Sequence, residues 1–177
     1  MRWFIRIASG LVLLLLVLVL GGFAVPAGYS VQRSVVIAAP VDRIYPLIAT
    51  PRRWKEWAMW NRRDPAMATT FFGPDIGTGA GWSWDSKSEG QGRMRLVSAD
   101  PQHGLSYELF FPAYDMTSTG ELSLLQQADG STKVTWTNVG RVGWNPLMHY
   151  MAAMMDRMVG PDFEAGLANL KAIAEHR

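Results

Sequence analysis

Leu105-Ser106-Tyr107-Glu108-Leu109 belongs to a series of short runs between residues 81 and 138 in which apolar and polar side chains alternate, and this alternation decides the fold. A period of two marks a β-strand with one buried and one wet face. It recurs in Trp82-Ser83-Trp84-Asp85, Arg93-Met94-Arg95-Leu96, Glu121-Leu122-Ser123-Leu124 and Lys133-Val134-Thr135-Trp136. Turn residues separate the runs at Glu89-Gly90, Asp100-Pro101, residues 112–115 and Asp129-Gly130. The pattern predicts an antiparallel meander whose apolar face gathers Trp82, Trp84, Met94, Leu96, Leu105, Tyr107, Leu109, Leu122, Leu124, Val134 and Trp136. The other face gathers Asp85, Arg93, Arg95, Glu108, Glu121 and Lys133.

An apolar sheet face needs a cover, and residues 146–176 supply it. Met148, Met151, Met155 and Met158 recur at helical spacing, and Phe163, Leu167, Leu170 and Ile173 or Ala174 continue an apolar face. Gly160-Pro161 is a place for a bend. Upstream, residues 29–38 read as a Val- and Ile-rich strand. Pro40 suits a first helical position and Asp42 complements the helix dipole. Val41, Ile44, Tyr45 and Ile48 then share one face, with Pro46 weakening the helix, and a second short helix is expected over residues 51–57. Strand, short helices, meander and long helix make a two-layer α+β domain.

Before this unit, residues 7–32 carry no charge and follow Arg2 and Arg6. Such a stretch can cross a hydrocarbon core of ~30 Å, and the two arginines favour the cytoplasmic side. Val25-Pro26-Ala27 offers a signal-peptidase site, but the apolar run is long for a signal peptide, whose core is usually about 7 to 15 residues. We therefore divide the chain into an N-terminal anchor or uncleaved signal, residues 1–28, and a domain of residues 29–177. The expectation is a single-pass membrane protein with a cytoplasmic N-terminus and a periplasmic or otherwise extracytoplasmic domain. Of 17 Lys and Arg two, Arg2 and Arg6, lie within residues 1–28, and 15 Asp and Glu balance the rest, so the exported part is formally neutral and lacks the basic field of a nucleic-acid binder. With no cysteine in 177 residues, disulfides and thiolate metal sites are excluded.

The run Val35-Val36-Ile37-Ala38-Ala39-Pro40-Val41-Asp42-Arg43-Ile44-Tyr45, then Trp54-Lys55-Glu56-Trp57 with Trp60, Gly77-Thr78-Gly79, and the closing stretch from Gly160-Pro161-Asp162-Phe163 to Lys171 resemble the START-like (SRPBCC) superfamily. The closest similarity is to its polyketide cyclase/dehydrase and lipid-transport group, over about residues 30–177. The resemblance implies a helix-grip fold, with a curved sheet wrapped around a long C-terminal helix and an internal apolar cavity. It implies no single activity, and no catalytic residue carries over.

Combining the alternation with that cavity gives the candidate lining Trp82, Trp84, Met94, Leu96, Tyr107, Leu109, Leu122, Val134, Trp136, Met148, Met151 and Met155. Methionines at helical spacing are most often core filler, and the functional reading is a soft, adaptable cavity wall. His149, beside the methionine stripe, and Asp115, in the loop after Pro112, are candidate polar groups at the cavity mouth. Arg52, Arg53, Trp54, Trp57 and Trp60 combine cations and indoles in a way that suits a membrane interface, although tryptophans sealing one end of the core explain them as well. The Gly-rich residues 73–81 lack the lysine and helix of a phosphate-binding loop, no histidine pair has metal-ligand spacing, and no cofactor motif is present.

These features predict membrane-tethered binding of a hydrophobic small molecule or lipid, for sequestration or short-range transfer. A polyketide cyclase/dehydrase-like enzyme drawing on His149, Tyr107 or Asp115 is the alternative, and an envelope scaffold for protein partners is a third reading. The wet-face carboxylates are poorly placed for catalysis, so binding is favoured.

Overall fold

The computed structural model describes residues 2–176; positions 1 and 177 lie outside them. A helix, α1 (Arg2–Ala24), leads into β1 (Gly28–Ile37) and α2 (Val41–Ala49). A 3₁₀ turn (Pro51–Arg53) and two single-turn helices, α3 (Trp54–Trp57) and α4 (Trp60–Arg63), follow. The meander is β2 (Ala68–Phe72), β3 (Gly81–Ser86), β4 (Gly90–Asp100), β5 (Gly104–Phe111), β6 (Met116–Gln126) and β7 (Thr132–Arg141). The long helix α5 (Pro146–His176) closes the chain.

All seven strands form one antiparallel sheet in the order β1-β7-β6-β5-β4-β3-β2. With α5 packed along its inner face, this is the α+β helix-grip architecture the alternation and the resemblance implied. The register matches the faces read from sequence: Leu105 opposes Leu122, Leu96 opposes Tyr107, and Leu122 opposes Trp136, all inward.

The structure adds an edge strand that the sequence reading left out. Ala68-Thr69-Thr70-Phe71-Phe72 pairs only with β3, placing Phe71 inward opposite Trp82. Pro40 sits at the N-cap of α2 rather than inside it. α5 runs unbroken through Pro161. The residue before a proline normally resists the helical region because its Cβ meets the proline ring, and Gly160 has no Cβ. A side chain there would also strike Arg33, since a Cβ would fall 2.1 Å from Arg33 Nη2. That guanidinium clamps β1 to α5 through Asp156 at 2.7 Å and Glu164 at 2.5 Å.

One half of the interior is solid. Trp136 stacks on Phe163 of α5 with ring centroids 3.9 Å apart and planes 7° from parallel. Trp54 and Trp57 close the same end, each fully buried, with indole N–H groups donating to the carbonyls of Ile48 and Leu47 at 2.7 and 3.1 Å. Leaving such a donor unpaired would cost about 1–3 kcal/mol, so these two bonds are what admit tryptophan to a dry core. Ile44, Ile48, Leu96, Leu122, Val134, Leu167 and Leu170 fill the space around the rings.

The helix α1 is long and apolar enough to cross a membrane, a test that a signal sequence near an N-terminus also passes. Of its residues only Gly22 is buried.

Candidate functional site

Beyond the aromatic plug the sheet and α5 separate, leaving a cavity of about 260 Å³ that is partly open to solvent. Trp54 forms the wall between the two halves. Its ring lies 5.2 Å from Trp82, 5.6 Å edge-on to Tyr107 and 5.8 Å edge-on to Trp136. From the sheet come Val31, Trp82, Trp84, Met94, Tyr107 and Leu109, and from α5 come Met151, Met155, Val159 and Phe163. The rim is built by Trp60 and Asn61 of α4, Met67, Glu89 in the β3–β4 turn, and Phe111, Tyr114 and Met116 around the β5–β6 turn.

A small polar cluster interrupts the apolar wall. Asn138 donates to Ser118 Oγ at 3.3 Å, and Trp136 Nε1 donates to the Tyr107 hydroxyl at 2.9 Å. Tyr29 bonds Ser118 and Tyr107 bonds Asn138. Burial pushes the Tyr107 phenol up to about 12, against the opposing effect of its bonds to Trp136 and Asn138. Burial likewise raises Tyr29. Both phenols therefore stay protonated throughout the neutral range and offer hydrogen bonds rather than negative charge.

The residues expected at the site divide into several groups. Trp82, Trp84, Met94, Tyr107, Leu109, Met151 and Met155 line the cavity. Leu96, Leu122, Val134 and Trp136 face inward as the period of two requires, yet they are packed into the solid half and line no void, which corrects their assignment as cavity wall. Met148 is half-buried at the start of α5, outside the lining, and Met158 is turned out to solvent.

His149 is not at the cavity mouth. Its ring nitrogens lie 2.9 and 3.2 Å from the carbonyl oxygens of Gly22 and Gly143, so it staples α1 to α5. Asp115 is exposed, in a left-handed conformation with φ 45°, at the end of the 3₁₀ turn Pro112–Tyr114, whose neighbours Tyr114 and Met116 form the rim while Asp115 does not.

Trp54 and Trp57 are core residues, which removes them from any membrane interface. Trp60 is half-buried on the rim, 5.8 Å edge-on to Trp136. Arg52 covers the Phe71 ring at 4.4 Å, and Arg53 makes two 2.9 Å bonds to Glu56.

Sequence reasoning missed Val31, Trp54, Trp60, Met67, Glu89, Phe111, Tyr114, Met116 and the Tyr29, Ser118, Asn138 cluster. The inward parity of residues 29 and 31 on β1 and of 118 and 138 on β6 and β7 was a usable signal, because each continues an alternation already established on its strand. Glu89 is held by Arg63, which also grips Asp162 of α5. On the outer face Arg95 pairs with Glu108 at 3.1 Å and Gln91 bonds Asp85 at 3.0 Å, remote from the cavity. Among the described residues no three His, Asp or Glu side chains converge as a metal site would require.

The chain belongs to the polyketide cyclase/dehydrase and lipid-transport family, whose model matches residues 29–175. No curated protein matches it. Among solved structures it is similar to a protein from Thermobifida fusca, with 21% identity over 83% of this chain and 93% of the other and a TM-score of 0.63. It is also similar to the di-domain ARO/CYC BexL from the BE-7585A biosynthetic pathway, at 19% identity and a TM-score of 0.63, covering 85% of this chain and 51% of BexL. Ara h 8.0201 shares the fold at 12% identity and a TM-score of 0.56, over 82% of this chain and 99% of the other. Identities this low show a common fold and leave function to be argued from the site.

Proposed function

We propose that this protein binds a hydrophobic small molecule or lipid in the cavity between sheet and α5, for sequestration or short-range transfer at a membrane. In this reading residues 1–28 are the anchor and residues 29–177 the binding unit, held outside the cytoplasm as Arg2 and Arg6 favour. The observation that carries it is the contrast within one interior, where a close-packed aromatic plug adjoins a roughly 260 Å³ void walled by Trp82, Trp84, Met94, Leu109, Met151 and Met155. Burying about 300 Å² of apolar ligand surface at ~25 cal/mol per Å² contributes several kcal/mol before binding costs. Tyr29, Tyr107, Ser118 and Asn138 add hydrogen-bonding capacity for one polar end.

A catalytic reading draws less support. Of His149, Tyr107 and Asp115, only Tyr107 lines the cavity, and its raised pKa suits a donor rather than a base. A scaffold with a filled core is disfavoured by the void itself.

The test is mass spectrometry of organic extracts from the full chain, purified in detergent from native membranes, before and after heat unfolding. A hydrophobic compound released in stoichiometric amount only on unfolding, and lost from a Met155→Trp variant that remains folded, is the expected result. An empty, fully stable wild-type protein that also fails to take up a solvatochromic apolar dye would overturn the proposal.

A further inference from the structure

The anchor is not a loose tether. Tyr150 Oη donates to the carbonyl of Leu18 at 2.9 Å, and His149 Nδ1 lies 2.9 Å from the carbonyl of Gly22. Gly22 lets the helices touch, since a Cβ there would fall 2.4 Å from the Pro146 carbonyl oxygen, and Val142 N–H donates to Ala27 at 2.9 Å. The first turn of α5 is thus fixed beside the last two turns of α1.

That placement sets a depth. Counting on from Arg6, a hydrocarbon core of ~30 Å takes up about 20 residues at ~1.5 Å each, reaching roughly residue 26. Leu18 and Gly22 precede that limit, so the groups bonded to them lie at the level of the outer leaflet. The composition of the docked segment fits this level. Residues 142–155 contain no Asp, Glu, Lys or Arg, and charge resumes only with Asp156 and Arg157. Within the segment Trp144 is 85% exposed, Leu147 49% and Met154 53%, adjoining the bare apolar surface of α1. On the same turns Met151 and Met155 line the cavity, Met151 lying between Leu147 and Met154 on one helical stripe, so the exposed surface runs directly into the cavity wall.

From this continuity we propose that residues 142–155 form a second membrane contact, seated in the outer leaflet of the bilayer beside α1 with Trp144 toward its interface, so that the cavity exchanges its ligand with that leaflet. The occupant of the exposed Trp144, Leu147 and Met154 surface is lipid. Indole belongs at the interface and the neighbouring aliphatic side chains just below it. The inference rests on the reading of α1 as a membrane anchor, and it adds an orientation that a flexible tether would not impose.

The absence of cysteine makes the test direct. Single-cysteine variants of the full chain, Trp144→Cys, Met154→Cys, Leu13→Cys and Lys133→Cys, are labelled with bimane. They are reconstituted into phosphatidylcholine vesicles containing spin-labelled phospholipid and compared with aqueous iodide as quencher. Positions 144 and 154 are expected to be several-fold more strongly quenched by lipid spin label than position 133 on the outer sheet face, with position 13 quenched as a spanning residue. If 144 and 154 behave like 133 while 13 is quenched, the seating is overturned and the anchor stands. If 13 is also unquenched by lipid, the anchor reading fails and the seating with it. Protection of 144 and 154 from both quenchers would mean that protein, such as a second copy of this chain, covers the surface, and would overturn the bilayer assignment.

Discussion

Tyr107 lies across Gly120, its direct partner on the neighbouring strand, so closely that a Cβ at 120 would fall 1.9 Å from Tyr107 Cζ. The arrangement repeats around the cavity. Trp84 covers its partner Gly92, and Tyr29 covers its partner Gly140, with hypothetical Cβ atoms 2.1 Å from Trp84 Cζ2 and 2.4 Å from the Tyr29 hydroxyl oxygen. Each ring uses the room a glycine leaves to lean over the adjacent strand instead of standing up into the interior. Three large aromatics thereby wall a void that upright rings would occupy, which links the glycine positions to the capacity to bind.

Gly120→Ala should accordingly damage the site from within the sheet. Tyr107 is buried and can yield only into the cavity it lines, so the clash is expected to cost about 1–3 kcal/mol and to change apolar dye uptake. Gly143→Ala is the control: nothing lies within 4 Å of its added Cβ, and its effect should stay within about 0.5 kcal/mol. Denaturant midpoints of the two variants decide the matter, and equal midpoints would show that the ring rearranges freely.

The two halves of the interior should respond oppositely to substitution. Leu122 is fully buried in the solid half, so Leu122→Ala should cost about 2–5 kcal/mol without altering the dye affinity of the folded fraction. Met155→Trp should fill the cavity instead, lowering dye affinity at least tenfold at a stability cost below about 2 kcal/mol. Affinity loss in Leu122→Ala with none in Met155→Trp would place the binding site elsewhere.

Alkaline pH offers a third measurement. The Tyr107 phenol has a folded pKa of about 12, raised from 10.0 mainly by burial, so the unfolded chain loses this proton first. The stabilising contribution is complete below pH 10 and is lost as pH rises through the folded value, amounting to about 2–3 kcal/mol over the window. Tyr107→Phe should lose about 1–2 kcal/mol at pH 8, because Trp136 N–H loses its acceptor, but should fall less steeply between pH 10 and 11. Parallel stability profiles for both proteins would remove Tyr107 as the titrating group. Tyr29, raised in the same direction, accounts for residual slope.

The sheet was legible because a period of two admits only one assignment of faces, and every turn signal from Glu89-Gly90 to Asp129-Gly130 falls at a junction between strands. The cavity was legible only as a set of inward residues. Leu122 and Tyr107 carry the same sequence signal, and what separates packed from void-lining is where Trp54, Trp57, Trp136 and Phe163 meet, a long-range fact. The interleaved tryptophans and arginines of residues 52–60 pointed to a surface because charge pattern is local, whereas the Ile48 and Leu47 carbonyls that accept the indole protons belong to another helix. In the methionine stripe, Met158 precedes the inward Val159 by one residue, roughly 100° of helix rotation, which carries it outside. Ala68-Thr69-Thr70-Phe71-Phe72 escaped because an edge strand beside a glycine-rich loop has one partner and a short alternation.

The rim, finally, is tied together by the Arg63 guanidinium. Arg63 of α4 bonds both oxygens of Asp162 on α5 at 3.0 and 2.8 Å and pairs with Glu89 of the β3–β4 turn at 3.0 Å, so one guanidinium ties together three rim elements. Because its side chain is 43% exposed, solvent screens these pairs, and Arg63→Met should change global stability by no more than about 1 kcal/mol. Local opening should respond more, since Trp60 and Asn61 sit on a single-turn helix with little other support. Amide exchange across residues 60–67 is expected to accelerate several-fold and a bound apolar dye to leave faster, with its equilibrium affinity only slightly reduced. Arg63→Lys, which keeps the charge but loses the planar fork, should fall between the two. Exchange and release rates identical to wild type in Arg63→Met would show that the rim is held by packing of Trp60 against Trp136 and not by the ion cluster.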